Sequence, residues 1–515
     1  MDTTGDARLS RDHYLTLSNG RFATTTRADL DHLIANLSSG DQRNKPLVVH
    51  FHGGLVPEAH GMGIVRDLQS VYELAGGYPV FFVWKSGVLE VITANLRDIF
   101  QERIFQVLLE QVTRYAVAKV REGLGARGGR LAPPHPAEVQ DELRQPTGGR
   151  EPFSTTDPRQ VLRSDTLSSD QQRQFREELE RDRNLRQEAE AIANAIRTPQ
   201  EVAAEAVATR GARVQASSHT LMSPDVLEEL RREAPLPGSR GPWLAQRIIV
   251  GAIKTLAAVV GRYAGRRDHG LYPTVVEEIL REFYLGNIGR TIWSQMKEDT
   301  AQAFGDDPAI FGGTAFLEGL KAMGPERRPV RIILVGHSAG AVYICHFLRH
   351  AAEVMPDVKF DVVLLAPACT FQLMNESISY FRNNVRDLRL FTMNDEFEIK
   401  DQLVPLVYPR SLLYFVSGVV EDEADMPLVG MARYYVGRGP FIGDPFDQPI
   451  NFLKASTSRL VWSKTTTGDP GLLTDATSHG DFDSNRLTLE SIQNIIRGGF
   501  SPPASPSPAI LSPAP

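Results

Sequence analysis

Residues 330–348 read VRIILVGHSAGAVYICHFL. An apolar, β-branched run leads into Gly336-His337-Ser338-Ala339-Gly340, and a second apolar segment leads out of it. The first run predicts a buried strand, and AGAVYICHFLRHAAEVM beyond the motif predicts a helix. Gly-x-Ser-x-Gly alone is a weak pattern. A strand entering it and a helix leaving it give the geometry in which the serine sits on a strained turn above a sheet, with a glycine on each side making room. Ser338 is therefore a candidate nucleophile, and the bland alternative is a small residue in a tight turn.

Working outward, PLVVHFHGGL (46–55) reads as a short buried strand delivering a glycine loop. GIVRDLQSVYELA (63–75) has apolar residues at helical spacing, with Gly76 and Gly77 as the stop, and YPVFFVWKSG (78–87) is a second buried strand. After Gly289 the rhythm returns: a helix in RTIWSQMKEDTAQAFG, strands in RRPVRIILVG, KFDVVLLAPA and DLRLFTMND, helical stretches near 411–420 and 428–436, and a last strand in SRLVWSKT. Alternating strand and helix predict the α/β class, a mostly parallel sheet with helices on both faces. The chain then divides into an N-terminal segment (1–44), a core in two pieces (45–86 and 290–499), a large mainly helical insertion (87–289) and a Pro/Ser-rich tail expected to be disordered (500–515).

Within the insertion, Ser169 and Gln172 read as a capping box opening one long charged helix to about Arg197, a solvated face by its mixed charges. WLAQRIIVGAIKTLAAVVGRY (243–263) is apolar nearly all round. A buried cap helix is the first reading and an interfacial membrane helix the second, since the cations in it make a poor transmembrane span.

VGHSAG between strand and helix, with HFHGG ending an earlier strand, resembles the α/β-hydrolase superfamily in its serine esterase and lipase branch, over roughly Lys45 to Ser86 and Thr291 to Asp483. The resemblance implies the α/β-hydrolase fold, with Ser338 attacking an acyl carbonyl to form an acyl-enzyme that water hydrolyses. It also implies an oxyanion hole in which backbone N–H groups of Gly53 or Gly54 join that of Ala339. The loop here reads HGGL where relatives read HGGG, so the donor among Gly53, Gly54 and Leu55 stays open. His50 and His52 are read as braces of that loop in preference to bases. His52, Leu55, Trp84 and His337 are candidate substrate-pocket residues.

A serine hydroxyl needs a base, and the family's chain order is serine, acid, histidine. Asp395, at the end of the strand LRLFTM, and His479, in TSHGDFD after the last strand, fit that order. Glu396 and Glu398 are rivals for the acid. His346 and His350 fall on the helix after the motif, and His337 occupies its variable position. The long chain between Asp395 and His479, and a cap inserted before the nucleophile strand instead of after it, are departures from the common pattern.

The 515 residues carry 56 Lys plus Arg against 63 Asp plus Glu, a net charge of -7 that offers no global field for nucleic acid. Two cysteines without ligand spacing indicate neither a disulfide framework nor a zinc site, and the polar amino terminus lacks the apolar core of a secretory signal. The expectation is a cytoplasmic carboxylic ester hydrolase with no metal or cofactor, acting on a small-molecule or lipid ester with hydrophobic acyl or alcohol groups. Three alternatives stand beside it: a lipase or phospholipase in contact with a membrane surface, a thioesterase or amidase on the same triad, and a non-catalytic hydrolase-fold protein whose charged insertion helix docks a partner.

Overall fold

The computed structural model describes residues 9–40, 42–84, 87, 89–122, 133–144, 152–153, 167–195, 220–233, 237–284, 290–436 and 440–500. The expected tail, the Gly/Pro-rich loop near 123–134 for the most part, and the end of the charged helix lie outside these residues. Eight strands form one sheet: β1 Tyr14–Ser18, β2 Arg21–Phe22, β3 Leu47–Phe51, β4 Tyr78–Trp84, β5 Ile332–His337, β6 Phe360–Leu365, β7 Val385–Met393 and β8 Leu460–Ser463. Their order is β2-β1-β4-β3-β5-β6-β7-β8. Every neighbouring pair is parallel except β1 and β2.

The strands read as unbroken apolar runs because both faces are covered. Along β5, Ile332 and Leu334 enter one hydrophobic core while Ile333 and Val335 enter another. β3 divides in the same way, with Leu47, Val49 and Phe51 on one side and Val48 on the other. The second core is closed by Val65, Leu68 and Tyr72 of the helix Glu58–Leu74 and by Ile492, Ile495 and Ile496 of the helix Arg486–Gly498. The first is closed by the helices Arg27–Leu37, Gly312–Ala322 and Gly340–Val354, and continues into the insertion.

The N-terminal segment supplies β1 and β2 of this sheet, joined through an Asn19-Gly20 turn with φ of 50° and 70°, and the helix Arg27–Leu37. The charged helix of the insertion is two helices, Ser169–Arg181 and Arg183–Ala195, interrupted at Asp182, and its N-cap is Ser168 with Gln171 completing the capping box. Asp182 Oδ1 then accepts from the N–H of Asn184 and Leu185, so it starts the second helix as it ends the first. These helices are not merely solvated: Phe175, Leu179, Leu185 and Ala189 are buried, and the pair packs against the helix Pro237–Ala264. That apolar helix is long and hydrophobic enough to cross a membrane by composition, yet half of its apolar window is buried inside the protein.

A buried ionic cluster joins the insertion to the β7–β8 connection. His269 Nδ1 lies 2.8 Å from Glu277 Oε1 and its Nε2 lies 2.9 Å from Asp425 Oδ1. Arg262 pairs with Glu277 at 2.7 Å and Arg267 with Asp425 at 3.2 Å. Burial works against both carboxylates, but His269 and Arg262 on Glu277, and Arg433 and His269 on Asp425, hold each at about 2.

Chain connections fix where a site forms. β3 connects to β4 on one side of it, while β5, its other neighbour, connects onward to β6 in the opposite direction. The carboxyl ends of β3 and β5 therefore flank a topological switch point, the place where open α/β sheets leave a crevice.

Candidate active site

Ser338 follows β5 directly, with φ of 52°. A left-handed backbone costs a non-glycine residue about 1–2 kcal/mol and persists only where the surroundings hold it. Here the Ser338 N–H donates to the carbonyl of Leu365 at 2.8 Å, and the Ser338 carbonyl accepts from Ala341 and Ala368 at 3.1 and 3.0 Å. Both glycines of the motif are required by contact. A Cβ on Gly336 would lie 2.8 Å from the carbonyl oxygen of Gly340, and one on Gly340 would lie 2.2 Å from that of Phe51.

The glycine loop after β3 lies against this turn. A Cβ on Gly53 would sit 3.5 Å from Ser338 Cβ, and one on Gly54 would sit 2.9 Å from Ala339 Cβ, beside Met296 of the helix Arg290–Gln302. Leu55, the residue after Gly54, has φ of 61° and is buried. This position therefore takes the left-handed backbone that favours glycine.

The histidines of HFHGG are braces. His52 Nδ1 donates to the Gly53 carbonyl at 2.6 Å, its Nε2 accepts from the Trp84 N–H at 3.1 Å, and its ring stacks on the Trp84 indole with centroids 4.1 Å apart. One donor and one acceptor make it a neutral imidazole, and burial holds it so, down to about 4. His50 Nδ1 meets the Tyr72 hydroxyl at 3.0 Å, and burial takes that imidazole to about 3.

His479 is brought to the same end of the sheet by the loop after β8. Its ring stacks on His337 with centroids 5.4 Å apart, and both residues are buried. Burial first, then the neighbouring His337, takes the His479 imidazole down to about 3, with Asp483 opposing. Neither of its ring nitrogens has a hydrogen-bond partner among the described residues, so in this structure His479 bonds to neither Ser338 nor Asp395. Its backbone is tied down instead: the His479 N–H donates to Asp401 Oδ2 at 2.8 Å.

Asp395 begins the short helix Asp395–Lys400 at the end of β7, and its Oδ1 accepts from the Tyr414 hydroxyl at 2.7 Å. Of the rival acids, Glu396 is exposed and paired with Lys400, whereas Glu398 is fully buried, accepts from Ser411 Oγ, and is pushed well above the usual carboxylate range by burial. The structure thus gathers Ser338, Ala339, Gly53, Gly54, Leu55, His337 and His479 at one end of the sheet, and holds the Asp395 carboxylate on Tyr414.

Sequence reading passed over Asp483. Its carboxylate lies 3.2 Å from His337 Nδ1, and His337 Nε2 lies 3.1 Å from the His479 carbonyl oxygen. Burial opposes charge on His337, but Asp483 and the His479 carbonyl outweigh it and raise the imidazole above its ordinary value. Asp483 stands four residues after His479 in SHGDFD, and Asp481, the other acid there, caps its own turn by accepting from the N–H of Ser478 at 3.0 Å.

Among the described residues no three His, Cys, Asp or Glu side chains are arranged to hold a metal ion. No protein-family model, curated protein or solved structure matches this chain.

Proposed function

We propose that the protein is a serine hydrolase of the α/β-hydrolase type, cleaving carboxylic esters through an acyl-enzyme on Ser338. The observation that carries this is the contact between the left-handed turn at Ser338 and the Gly53-Gly54 loop, made at the carboxyl ends of β3 and β5. In the proposed reaction Ser338 Oγ attacks the acyl carbonyl while its proton passes to His479. The oxyanion receives N–H groups from Ala339 and from the glycine loop. The imidazolium returns its proton to the leaving alcohol, and water repeats the sequence on the acyl-enzyme.

Burial lowers the His479 imidazole to about 3, so it is unprotonated at neutral pH yet a weak base, and the proposed role requires its charge to be stabilised when substrate is bound. Around the turn, Leu55, Trp84 and Met296 are buried and apolar, which favours hydrophobic acyl or alcohol groups. The same groups would serve a thioester or an amide. One observation favours a non-catalytic reading: the acid expected to orient His479 is bound to Tyr414 instead.

Intact-protein mass after treatment with a fluorophosphonate probe separates the two. One adduct on the native protein, missing from Ser338→Ala, is the expected result. No adduct on a folded native protein rejects the hydrolase. Hydrolysis of p-nitrophenyl esters then tests the pocket, and activity confined to acetate would reject the preference for longer acyl chains.

A further inference from the structure

His337, in the variable position of the serine motif, has an acceptor on each ring nitrogen, the Asp483 carboxylate at 3.2 Å and the His479 carbonyl at 3.1 Å. A neutral imidazole carries one N–H, so it can satisfy one of these acceptors and not both. An imidazolium satisfies both. The remaining groups near the ring are His50 on β3 and His52 just after it, the stacked ring of His479, Asp401, which accepts from the His479 N–H, and Asp481, which accepts from the Ser478 N–H. Asp483 is the carboxylate that touches His337, and the carbonyl it helps to hold belongs to the residue read as the base.

We propose that His337 and Asp483 form a charged positioning pair that fixes the His479 loop over Ser338 only while His337 carries both protons. This inference rests on the hydrolase reading and adds a control to it. On losing a proton, His337 keeps its remaining N–H on the charged Asp483, and the His479 carbonyl loses its donor. The loop then gains freedom where a displacement of about 1 Å can cost about a hundredfold in rate. Activity is therefore present below the raised titration of His337 and is lost as pH rises through it. Asp483→Asn removes the charge that opposes burial, so the alkaline loss moves to lower pH.

The test is the second-order rate of Ser338 labelling by the fluorophosphonate probe, followed from about pH 5.5 to pH 9 for the native protein, Asp483→Asn and His337→Gln. In Asp483→Asn the alkaline limb should move to lower pH by at least about one unit, so that labelling on that limb falls about tenfold while the difference from native narrows toward acid. With p-nitrophenyl butyrate the same variant should lose kcat with KM nearly unchanged. His337→Gln should label slowly and lack the alkaline limb. Parallel pH profiles in all three proteins would overturn the pair while leaving the hydrolase intact, and a native protein that takes no label would overturn both. Should either variant fail to fold, ¹⁵N-histidine spectra of the native protein decide: two protonated ring nitrogens on His337 at about pH 5.5, one of them lost as pH rises, are expected, and a ring already neutral at about pH 5.5 overturns the proposal.

Discussion

A Cβ placed on Gly340 would lie 2.2 Å from the carbonyl oxygen of Phe51. The helix that leaves the serine turn thus starts in direct contact with the last residue of β3, two residues ahead of the glycine loop. The serine turn and the strand that delivers the glycine loop meet at this backbone contact, which ties their spacing to the identity of Gly340.

Gly340→Ala must push β3 and the helix Gly340–Val354 apart, and a backbone oxygen cannot rotate away as a side-chain terminus can. Overpacking of this kind costs about 1–3 kcal/mol, occasionally more. The expected result is a lower urea midpoint together with loss of fluorophosphonate labelling at Ser338. Gly63→Ala, on the exposed side of the helix Glu58–Leu74 with only the tip of Arg66 in reach, should be neutral or slightly stabilising. Full labelling in Gly340→Ala would show that the turn can form without this contact.

The acid limb of stability draws on four imidazoles, three of them buried and that of His346 half-buried. Burial holds His50 and His479 at about 3 and His52 and His346 at about 4, against about 6.5 in an unfolded chain. Between about pH 6.5 and these values the unfolded chain binds protons that the native protein does not, so stability falls as pH falls. At about 1.4 kcal/mol per proton and pH unit these imidazoles favour unfolding as pH falls, while the raised carboxyls of Glu398 and Asp299, protonated in the native protein before they are in the unfolded chain, oppose them. His337 opposes this trend, since its raised titration contributes stability below about 6.5 that is lost as pH rises through the folded value. Glu277 and Asp425, both held at about 2, add a loss only below the ordinary carboxylate range. Urea midpoints at pH 7 and pH 5.5 measure the effect: a lower midpoint at pH 5.5 is expected, and equal midpoints would mean that these imidazoles do not dominate the acid limb.

What could be read from the sequence followed burial. β3, β5 and β6 are sheathed on both faces, so their residues form continuous apolar runs that announce themselves. β1 and β2 did not, because YLTLSNGRF is short and partly polar; its Asn19-Gly20 pair was the usable signal, as both residues take the positive φ that a tight hairpin demands. Ser338 was legible because strand, turn and helix are contiguous. The pairing of His337 with Asp483 was not, since it joins the end of β5 to the loop just before the helix Arg486–Gly498 through a contact with no local periodicity. The break at Asp182 shows the opposite limit: one residue can cap two helices, and charge pattern alone does not say where the first one stops.

The cluster around His269 is where loss of one side chain should cost most. His269 is fully buried between Glu277 and Asp425, and its ring meets Tyr414 edge-on at 4.6 Å. Tyr414 in turn donates to Asp395, so the insertion, the β7–β8 connection and the expected acid are linked through one imidazole. His269→Ala leaves two buried carboxylates facing a void, with Arg262, Arg267 and Arg433 as the remaining compensation. Breaking a buried ionic arrangement by removing one partner costs about 3–5 kcal/mol, because the charge left behind stays out of water. Arg486→Ala, which breaks an exposed pair with Glu490 one helical turn away, should cost about 0.5 kcal/mol or less. Urea unfolding of both variants gives the contrast. Hydrogen exchange should rise in 262–278 and 421–436 for His269→Ala and stay unchanged there for Arg486→Ala. Equal destabilisation by the two substitutions would mean that the insertion is held by its apolar contacts alone.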